Sequence, residues 1–273
     1  MSPKQHKGAA IAPGVRQHVV RTLDEVAREH NVRILFAAES GSRAWGFGSP
    51  DSDFDVRFIY AHEPAWYLGL TDKRDVIQRP LDAQLIDLAG WDVRKAMRLL
   101  LKSNPALYEW FVSPIVYADD GAFRASAQPM FEANASPRAL AAHYWSIARG
   151  QWVREIDGRD QVKLKKYFYV VRPLLSLLNV IEHGKAPPMD IDHLLAAVPV
   201  PQPLLRDIES LLATKRQTPE LGLGDRIAAI DEWASGAIAR YAPENLTLPD
   251  TARQDGREAA DRLFRQTIGL GDI

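Results

Sequence analysis

The sequence predicts an α+β protein, in which a small mixed β-sheet packed by helices is followed by an all-helical C-terminal region. Short β-rich apolar runs are confined to the first half of the chain, whereas helical periodicity fills almost everything beyond Ser136. Turn-forming residues cluster between 120 and 136, where the composition changes. We therefore expect two domains, a mixed domain at 14–120 and a helical domain at 121–273.

The elements of the first half follow from the spacing of apolar residues. Helical spacing indicates an amphipathic helix, a short apolar run such as VRILFAA indicates a buried strand, and alternation as in DFDVRFIY indicates a half-buried strand. The predicted elements are a helix at 15–31, strands at 32–38, 53–60 and 83–88, and a helix at 91–102.

In the second half every predicted element is a helix. The candidates lie at 137–157, 162–184, 203–214, 225–241 and 250–268. Neither an internal repeat nor a low-complexity tract interrupts them.

Composition excludes several classes of function. The chain of 273 residues has 34 Lys and Arg against 35 Asp and Glu, so it is not a globally basic nucleic-acid coat, although a local basic groove is compatible with this balance. It contains no cysteine, which excludes disulfides, zinc-thiolate sites and cysteine nucleophiles and is compatible with a cytoplasmic location. Without an apolar stretch of about 18 residues, no membrane span is expected.

Two aspartates on the second predicted strand are the first candidates for chemistry. Alternate residues of a strand point to the same face, so Asp53 and Asp55 are expected to lie together, while Phe54 and Val56 face the core. Two such carboxylates can share divalent cations, and Mg²⁺ prefers oxygen ligands. An isolated Asp-x-Asp is more often a solvated acidic turn.

A glycine and a serine precede this pair. Gly41 follows the first strand, where the lack of a side chain lets the backbone approach a ligand closely, and the Ser42 hydroxyl adds a hydrogen-bond donor. Gly-Ser alone also fits an ordinary turn. Together with Asp-x-Asp and a strand on each side, it points to a bound phosphate and metal.

The segment GSRAWGFGSPDSDFDVR resembles the signature of the DNA polymerase β-like nucleotidyltransferase superfamily, in which Gly-Ser precedes an Asp-x-Asp metal pair. Three longer phrases resemble a narrower family of predicted bacterial nucleotidyltransferases, some of which accompany RNA ligases in RNA-repair operons. They are GSRAWGFGSPDSDFDVRFIY, GWDVRKAMRLLLKSNPALYEW and KKYFYVVRPLL, and the resemblance covers residues 32–180.

This resemblance implies transfer of a nucleoside monophosphate from an NTP, such as ATP, to an acceptor hydroxyl, with RNA as the favoured acceptor. It implies that Gly41 and Ser42 hold the triphosphate and that Asp53 and Asp55 bind two Mg²⁺ ions, or Mn²⁺ in their place. Two-metal sites of this kind favour in-line displacement with release of pyrophosphate.

A third carboxylate normally completes such a site from a neighbouring strand, as a metal ligand or a base. Asp87, ahead of the phrase GWD, fits the spacing of the family, and Asp82 is the alternative. Because they lie an odd number of positions apart, a regular strand would point them to opposite faces. We prefer Asp87, unless it caps the helix that follows.

Basic and aromatic residues supply further candidates for nucleotide binding. Arg43 has the chemistry to bind a phosphate, although a surface salt bridge is the alternative. Lys165, Tyr169 and Arg172 share one helical face within KKYFYVVRP, and a solvated basic face is the alternative there. Trp45 is either a stacking surface for a base or part of the core.

Two other classes of function compete with the transferase. One is a non-catalytic nucleotide- or RNA-binding module that keeps the fold, which the intact Asp53 and Asp55 disfavour. The other is a metal-dependent phosphohydrolase or a glycosyltransferase with a lone Asp-x-Asp, which the preceding Gly-Ser disfavours. The acceptor, the preferred NTP and the oligomeric state do not follow from the sequence.

Overall fold

The computed structural model describes residues 11–218, 221–250 and 254–271. The chain forms two compact units. The first comprises the described residues up to Ala44, the segment Asp53–Ala135 and the last helix. The second comprises Trp45–Ser52 and the described residues between Ser136 and Asp250. The predicted limits 14–120 and 121–273 remain predictions, and the second range extends past the described residues.

A mixed sheet of five strands forms the centre of the first unit. Its order is β3-β4-β2-β1-β5, with β2 and β4 parallel and the other neighbours antiparallel. The strands are β1 Arg33–Ser40, β2 Phe54–Ala61, β3 Val76–Arg79, β4 Ile86–Asp92 and β5 Val116–Asp119. The α+β class and the strands at 32–38 and 53–60 are confirmed.

Six α-helices of the described residues belong to the first unit and come before Ser136 in the chain. They are α1 Pro13–His30, α2 Gly41–Ala44, α3 Pro64–Tyr67, α4 Val93–Leu101, α5 Pro105–Phe111 and α6 Phe123–Asn134. The apolar face of α1 packs through Val19, Leu23 and Val26 into one core with Val56 and Phe58 of β2. This burial of alternate β2 residues points Asp55 and Arg57 to the opposite face.

The third predicted strand, at 83–88, is displaced in the structure. Asp82 accepts hydrogen bonds from the amides of Gln84 and Ile86, and Leu85 adopts a positive φ of 61°, so a turn delays the strand to Ile86. The strand then continues to Asp92, whose side chain caps α4 through the Arg94 amide, and the helix starts at Val93 rather than at 91.

Helices dominate the second unit. They are α7 Pro137–Glu155, α8 Phe168–His183, α9 Ile191–Ala197, α10 Gln202–Gln217 and α11 Ala228–Arg240. The expectation of an all-helical region is wrong in one detail, because β6 Gln161–Lys163 pairs with β7 Leu223–Asp225 in an antiparallel ribbon. Val162 is buried and its partner Gly224 lies so close to Leu164 that a Cβ there would be 2.9 Å from that side chain. A 3₁₀ turn then delays α8 to Phe168.

The last helix, α12 Gln254–Thr267, returns to the first unit, where it packs against α4 and α6. The predicted helix at 250–268 matches it, except that positions 251–253 lie outside the described residues. No helix within the described ranges is both long and apolar enough to cross a bilayer.

Candidate active site

The acidic residues of the sequence motif lie at the start of β2. Asp53 immediately precedes the strand and is exposed, whereas Asp55 lies within it and is partly buried. Arg57 follows on the same face, because it is two positions beyond Asp55. The intervening Val56 and the following Phe58 are fully buried and anchor the strand in the core.

Asp87 stands beside Asp55 on the neighbouring strand. The parallel register of β2 and β4 pairs these two residues directly, so their side chains leave the sheet on one face. Arg57 lies between them, with Nη2 at 3.0 Å from Asp55 Oδ1 and 2.7 Å from Asp87 Oδ2. The structure thus brings together two of the three predicted carboxylates around a guanidinium.

Burial and the neighbouring acids raise the pKa of Asp55. Loss of solvent contributes most, the Arg57 guanidinium opposes it, and the negative charges of Asp87 and Asp53 add to it. Asp53 is therefore close enough to act on Asp55, although its own carboxylate is exposed. The three aspartates form one electrostatic cluster, which we call the acidic cluster.

Asp82, the alternative third carboxylate, is committed elsewhere. Its side chain accepts hydrogen bonds from two backbone amides of the turn before β4 and lies 2.9 Å from His18 Nε2. Burial alone would raise its pKa, but these bonds lower it below the usual value. This geometry is typical of an aspartate that stabilises a turn. It favours Asp87 over Asp82 as the third carboxylate.

Gly41 lies against the acidic cluster, in a space that a side chain would fill. It has a φ of 64°, and a Cβ built there would lie 2.0 Å from Asp55 Oδ2. The bend after β1 therefore approaches the acidic cluster as closely as it does only because residue 41 is glycine. Ser42 follows in α2 and is partly exposed.

Arg43 is buried and does not lie on the surface. Its Nε donates to the Asp53 carbonyl at 3.2 Å, and its guanidinium carbon lies 4.0 Å from the centre of the Phe54 ring. Its charge also lowers the pKa of Asp55. Arg43 thus fixes the backbone at the start of β2 and adds positive potential to the cluster.

Glu39 is a residue of this region that the sequence analysis missed. It is fully buried, its Oε1 accepts from the Asp55 amide at 2.8 Å, and its Oε2 accepts from the Tyr117 hydroxyl. Burial raises the pKa of Glu39 to about 7, although the bonds from Tyr117 and Asp55 oppose the rise. A charged residue at the end of the apolar run LFAA was the available signal.

The other three predicted nucleotide-binding residues belong to the second unit. Arg172 is buried in α8 and donates through Nε and Nη2 to the Met189 carbonyl, at 3.0 and 2.8 Å. Its guanidinium carbon lies 4.5 Å from the Trp45 ring centre, and the Tyr169 ring meets Trp45 edge-on. Lys165 lies in the 3₁₀ turn before α8 and is partly exposed.

The loop that carries the aromatics of the motif also groups with the second unit. Phe47 is buried and stacks on Phe168, with ring centres 4.8 Å apart. The Lys215 ammonium donates to the Ser49 hydroxyl, and Arg216 Nε donates to the Gly46 carbonyl at 2.9 Å. Phe47 is thus a core residue.

Within residues 11–218, 221–250 and 254–271, no three acidic or histidine side chains converge on a point in the manner of a formed metal site. At the acidic cluster, Arg57 pairs with one oxygen of Asp55 and one of Asp87. A positively charged side chain therefore lies between these two carboxylates.

Comparison with known proteins identifies the family. Residues 15–266 match the RNA repair pathway DNA polymerase beta family, RlaP. The chain is also 39% identical over 254 residues to the uncharacterized protein YcgL of Bacillus subtilis strain 168, covering 93% of this chain and 96% of that protein.

Among solved structures, a nucleotidyltransferase-like protein from Exiguobacterium sibiricum 255-15 aligns with a TM-score of 0.36 at 13% identity. The alignment covers 85% of this chain and 78% of that one. The match to the family pattern spans most of the chain and includes every residue of the acidic cluster. The chain therefore belongs to the RNA repair pathway DNA polymerase beta family.

Proposed function

We propose that the protein is a nucleotidyltransferase that transfers a nucleoside monophosphate from an NTP to a hydroxyl of RNA. One observation carries the proposal: Asp55 is paired in register with Asp87 and lies with Oδ2 against the Gly41 bend. A glycine bend beside clustered carboxylates suits phosphoryl transfer, because a phosphate could approach the bend while the carboxylates hold metal ions. Membership of an RNA-repair family supports RNA as the acceptor.

The donor set of the acidic cluster suits a hard divalent cation. Asp53, Asp55 and Asp87 offer only carboxylate oxygens, which Mg²⁺ and Mn²⁺ prefer, and their mutual repulsion favours a cation among them. These three residues would hold the ions. When bound, two Mg²⁺ ions would neutralise the triphosphate and make the acceptor hydroxyl more acidic.

The residues of the chain would bind and orient the reactants. Gly41 lets the backbone approach the triphosphate, Ser42 donates its hydroxyl to a phosphate oxygen, and Arg43 adds positive potential. A bond forms between the acceptor oxygen and the α-phosphorus, the bond to pyrophosphate breaks, and the hydroxyl proton leaves. Asp87 would receive that proton or help to hold a metal ion.

Within the second unit, Lys165, Tyr169 and Arg172 remain predicted nucleotide-binding residues. Lys165 is the best suited, because it is partly exposed and positively charged. Arg172 is the least suited, since it is buried and already donates two bonds to the Met189 carbonyl.

A non-catalytic nucleotide- or RNA-binding module is the second candidate, and Arg57 favours it. Its bonds to Asp55 and Asp87 leave fewer carboxylate oxygens for an ion than an open acidic pair would. Such a module would bind NTP or RNA without releasing pyrophosphate.

The test is a screen of four NTPs labelled at the α-phosphate, each incubated with RNA, DNA or protein acceptors and with Mg²⁺ or Mn²⁺. Label in RNA together with pyrophosphate release supports the proposal. Binding without release identifies the module, and label appearing only as free nucleotide identifies a hydrolase. Asp55→Asn is the inactive control, and Asp82→Asn is the matched control outside the acidic cluster.

A further inference from the structure

The geometry points to a specific role for Arg57: we infer that it is the resident counter-cation of the acidic cluster, so that divalent metal binds weakly until a nucleotide arrives. The inference rests on the proposed function, because the metal concerned is the one that nucleotidyl transfer needs. It assigns a positioning role to a residue outside the predicted set.

Four hydrogen bonds hold the Arg57 guanidinium in place. Nη1 donates to the carbonyls of Asp87 and Val56, at 2.9 and 3.2 Å. Nη2 donates to Asp55 Oδ1 and Asp87 Oδ2, at 3.0 and 2.7 Å. The two carbonyl bonds belong to strands β2 and β4, so the group is fixed to the sheet itself and not only to the carboxylates.

This arrangement orients the carboxylates as well as neutralising them. Arg57 engages Oδ1 of Asp55, whereas Oδ2 of the same carboxylate is the oxygen that faces Gly41. One oxygen is thus held by the guanidinium and the other is presented to the bend. A planar guanidinium suits this task, because its donors have a fixed geometry.

The same arrangement works against metal binding to the free protein. Two of the four oxygens of Asp55 and Asp87 already accept bonds from a cation, and the guanidinium charge repels an incoming ion. A triphosphate adds several negative charges, which offset this repulsion. Metal and nucleotide should therefore bind cooperatively, and the cooperativity should depend on Arg57.

Arg79 provides a natural comparison within the first unit. It also bridges two carboxylates, with Nη1 at 3.1 Å from Glu25 and Nη2 at 2.6 Å from Glu29. Both partners are at least half exposed, lie on α1 and take no part in the acidic cluster. Removal of Arg79 therefore changes the net charge as much as removal of Arg57 does, but at a different place.

The experiment measures binding of Mn²⁺ by electron paramagnetic resonance, without nucleotide, to the wild type, Arg57→Gln and Arg79→Gln. We expect Arg57→Gln to bind Mn²⁺ about tenfold more tightly than the wild type, since one repelling unit charge is lost at close range. Arg79→Gln should bind like the wild type. A nonhydrolysable NTP should tighten Mn²⁺ binding to the wild type more than to Arg57→Gln.

Unchanged or weaker binding in Arg57→Gln overturns the inference, as does an equal gain in Arg79→Gln. Circular dichroism establishes whether Arg57→Gln folds. If it does not, Arg57→Lys decides, because an ammonium keeps the positive charge but has only three donors and lacks the planar geometry that engages two carboxylates and two carbonyls at once. Mn²⁺ affinity should then rise a few-fold, and an unchanged affinity contradicts the inference.

Parallel assays of label transfer separate this inference from the proposed function. If Arg57→Gln binds Mn²⁺ more tightly but the wild type transfers no label, the counter-cation role of Arg57 is supported and the transferase function is rejected. If the wild type transfers label but Arg57→Gln binds Mn²⁺ with unchanged affinity, the transferase function is supported and the counter-cation role is rejected.

Discussion

The two ends of strand β4 each carry an aspartate, and the two are held very differently. Asp92 is fully buried, accepts bonds from the Tyr67 hydroxyl and the Arg94 amide at 2.8 Å each, and caps α4. Asp87 has a side chain that is 42% exposed and pairs with Arg57. A buried and well-bonded carboxylate is part of the scaffold, whereas a half-exposed one beside other acids can bind a ligand.

The largest expected effect comes from neutralising the centre of the acidic cluster. Asp55→Asn should reduce label transfer on the order of 10³-fold, about 4 kcal/mol of barrier, because a metal ligand is lost. The matched Asp92→Asn should instead lower the free energy of unfolding, by about 1–3 kcal/mol, since its buried hydrogen bonds are disturbed. Urea unfolding and transfer by the folded fraction measure both, and retained transfer in Asp55→Asn would reject the metal assignment.

The next effect is the pH dependence of stability that arises from Glu39, whose carboxylate accepts a hydrogen bond from the Asp55 amide. Because its pKa rises to about 7 in the folded protein, the native state holds this proton more tightly than the unfolded chain. Stability from this group is therefore greatest below the unfolded pKa of about 4.5 and falls as the pH rises toward 7, by up to ~3 kcal/mol.

Glu39→Gln should flatten this fall, because glutamine does not ionise. Urea unfolding of the wild type and the variant at a series of pH values between 4.5 and 8 measures the slope. Parallel curves for the two proteins would show that Glu39 does not titrate in this range.

A third comparison separates Asp87 from Asp82. Asp87→Asn should reduce transfer on the order of 10²-fold, if it completes the metal site as proposed. Asp82→Asn should leave transfer within about twofold and cost roughly 1 kcal/mol of stability, because it keeps only part of its bonds to the turn. Single-turnover rates and urea unfolding provide the two readouts, and the opposite ranking would make Asp82 the third carboxylate.

The smallest expected effect tests the close approach of the bend. Gly41→Ala places a Cβ against Asp55 and should reduce transfer about tenfold or more by displacing that carboxylate. Gly121→Ala is the control, since Gly121 also has a positive φ, of 77°, but has open space around it. Both variants place a side chain on a backbone with positive φ, so similar transfer rates in the two would show that the contact with Asp55 is not the cause of the loss.

The sequence predicted those elements that depend on the order of residues within one short segment. The strand at 53–60, the side chains on its two faces and the glycine before it follow from alternation and from backbone sterics. The register that sets Asp87 beside Asp55 depends instead on pairing between separate segments. Arg57 was visible as the next residue of the Asp-x-Asp-x-Arg alternation, but its role needed that register.

Other features could not be predicted because they too depend on contacts between segments that are distant in sequence. The edge strands Val76–Arg79 and Val116–Asp119 are short and have little pattern of their own, because their neighbours in the sheet stabilise them. The buried carboxylate of Glu39 accepts a hydrogen bond from Tyr117, which is distant in sequence. The β6–β7 ribbon likewise joins two segments that are far apart along the chain.

The return of α12 to the first unit has a consequence for biosynthesis. The Phe264 ring meets Tyr67 edge-on, and Arg33 Nη2 donates to the Thr267 carbonyl, so the last helix packs on segments made much earlier. Since chains emerge from the ribosome N-terminus first, the unit that carries the acidic cluster acquires its final layer after the second unit has been made. A nascent chain thus carries the acidic residues before their supporting structure is complete.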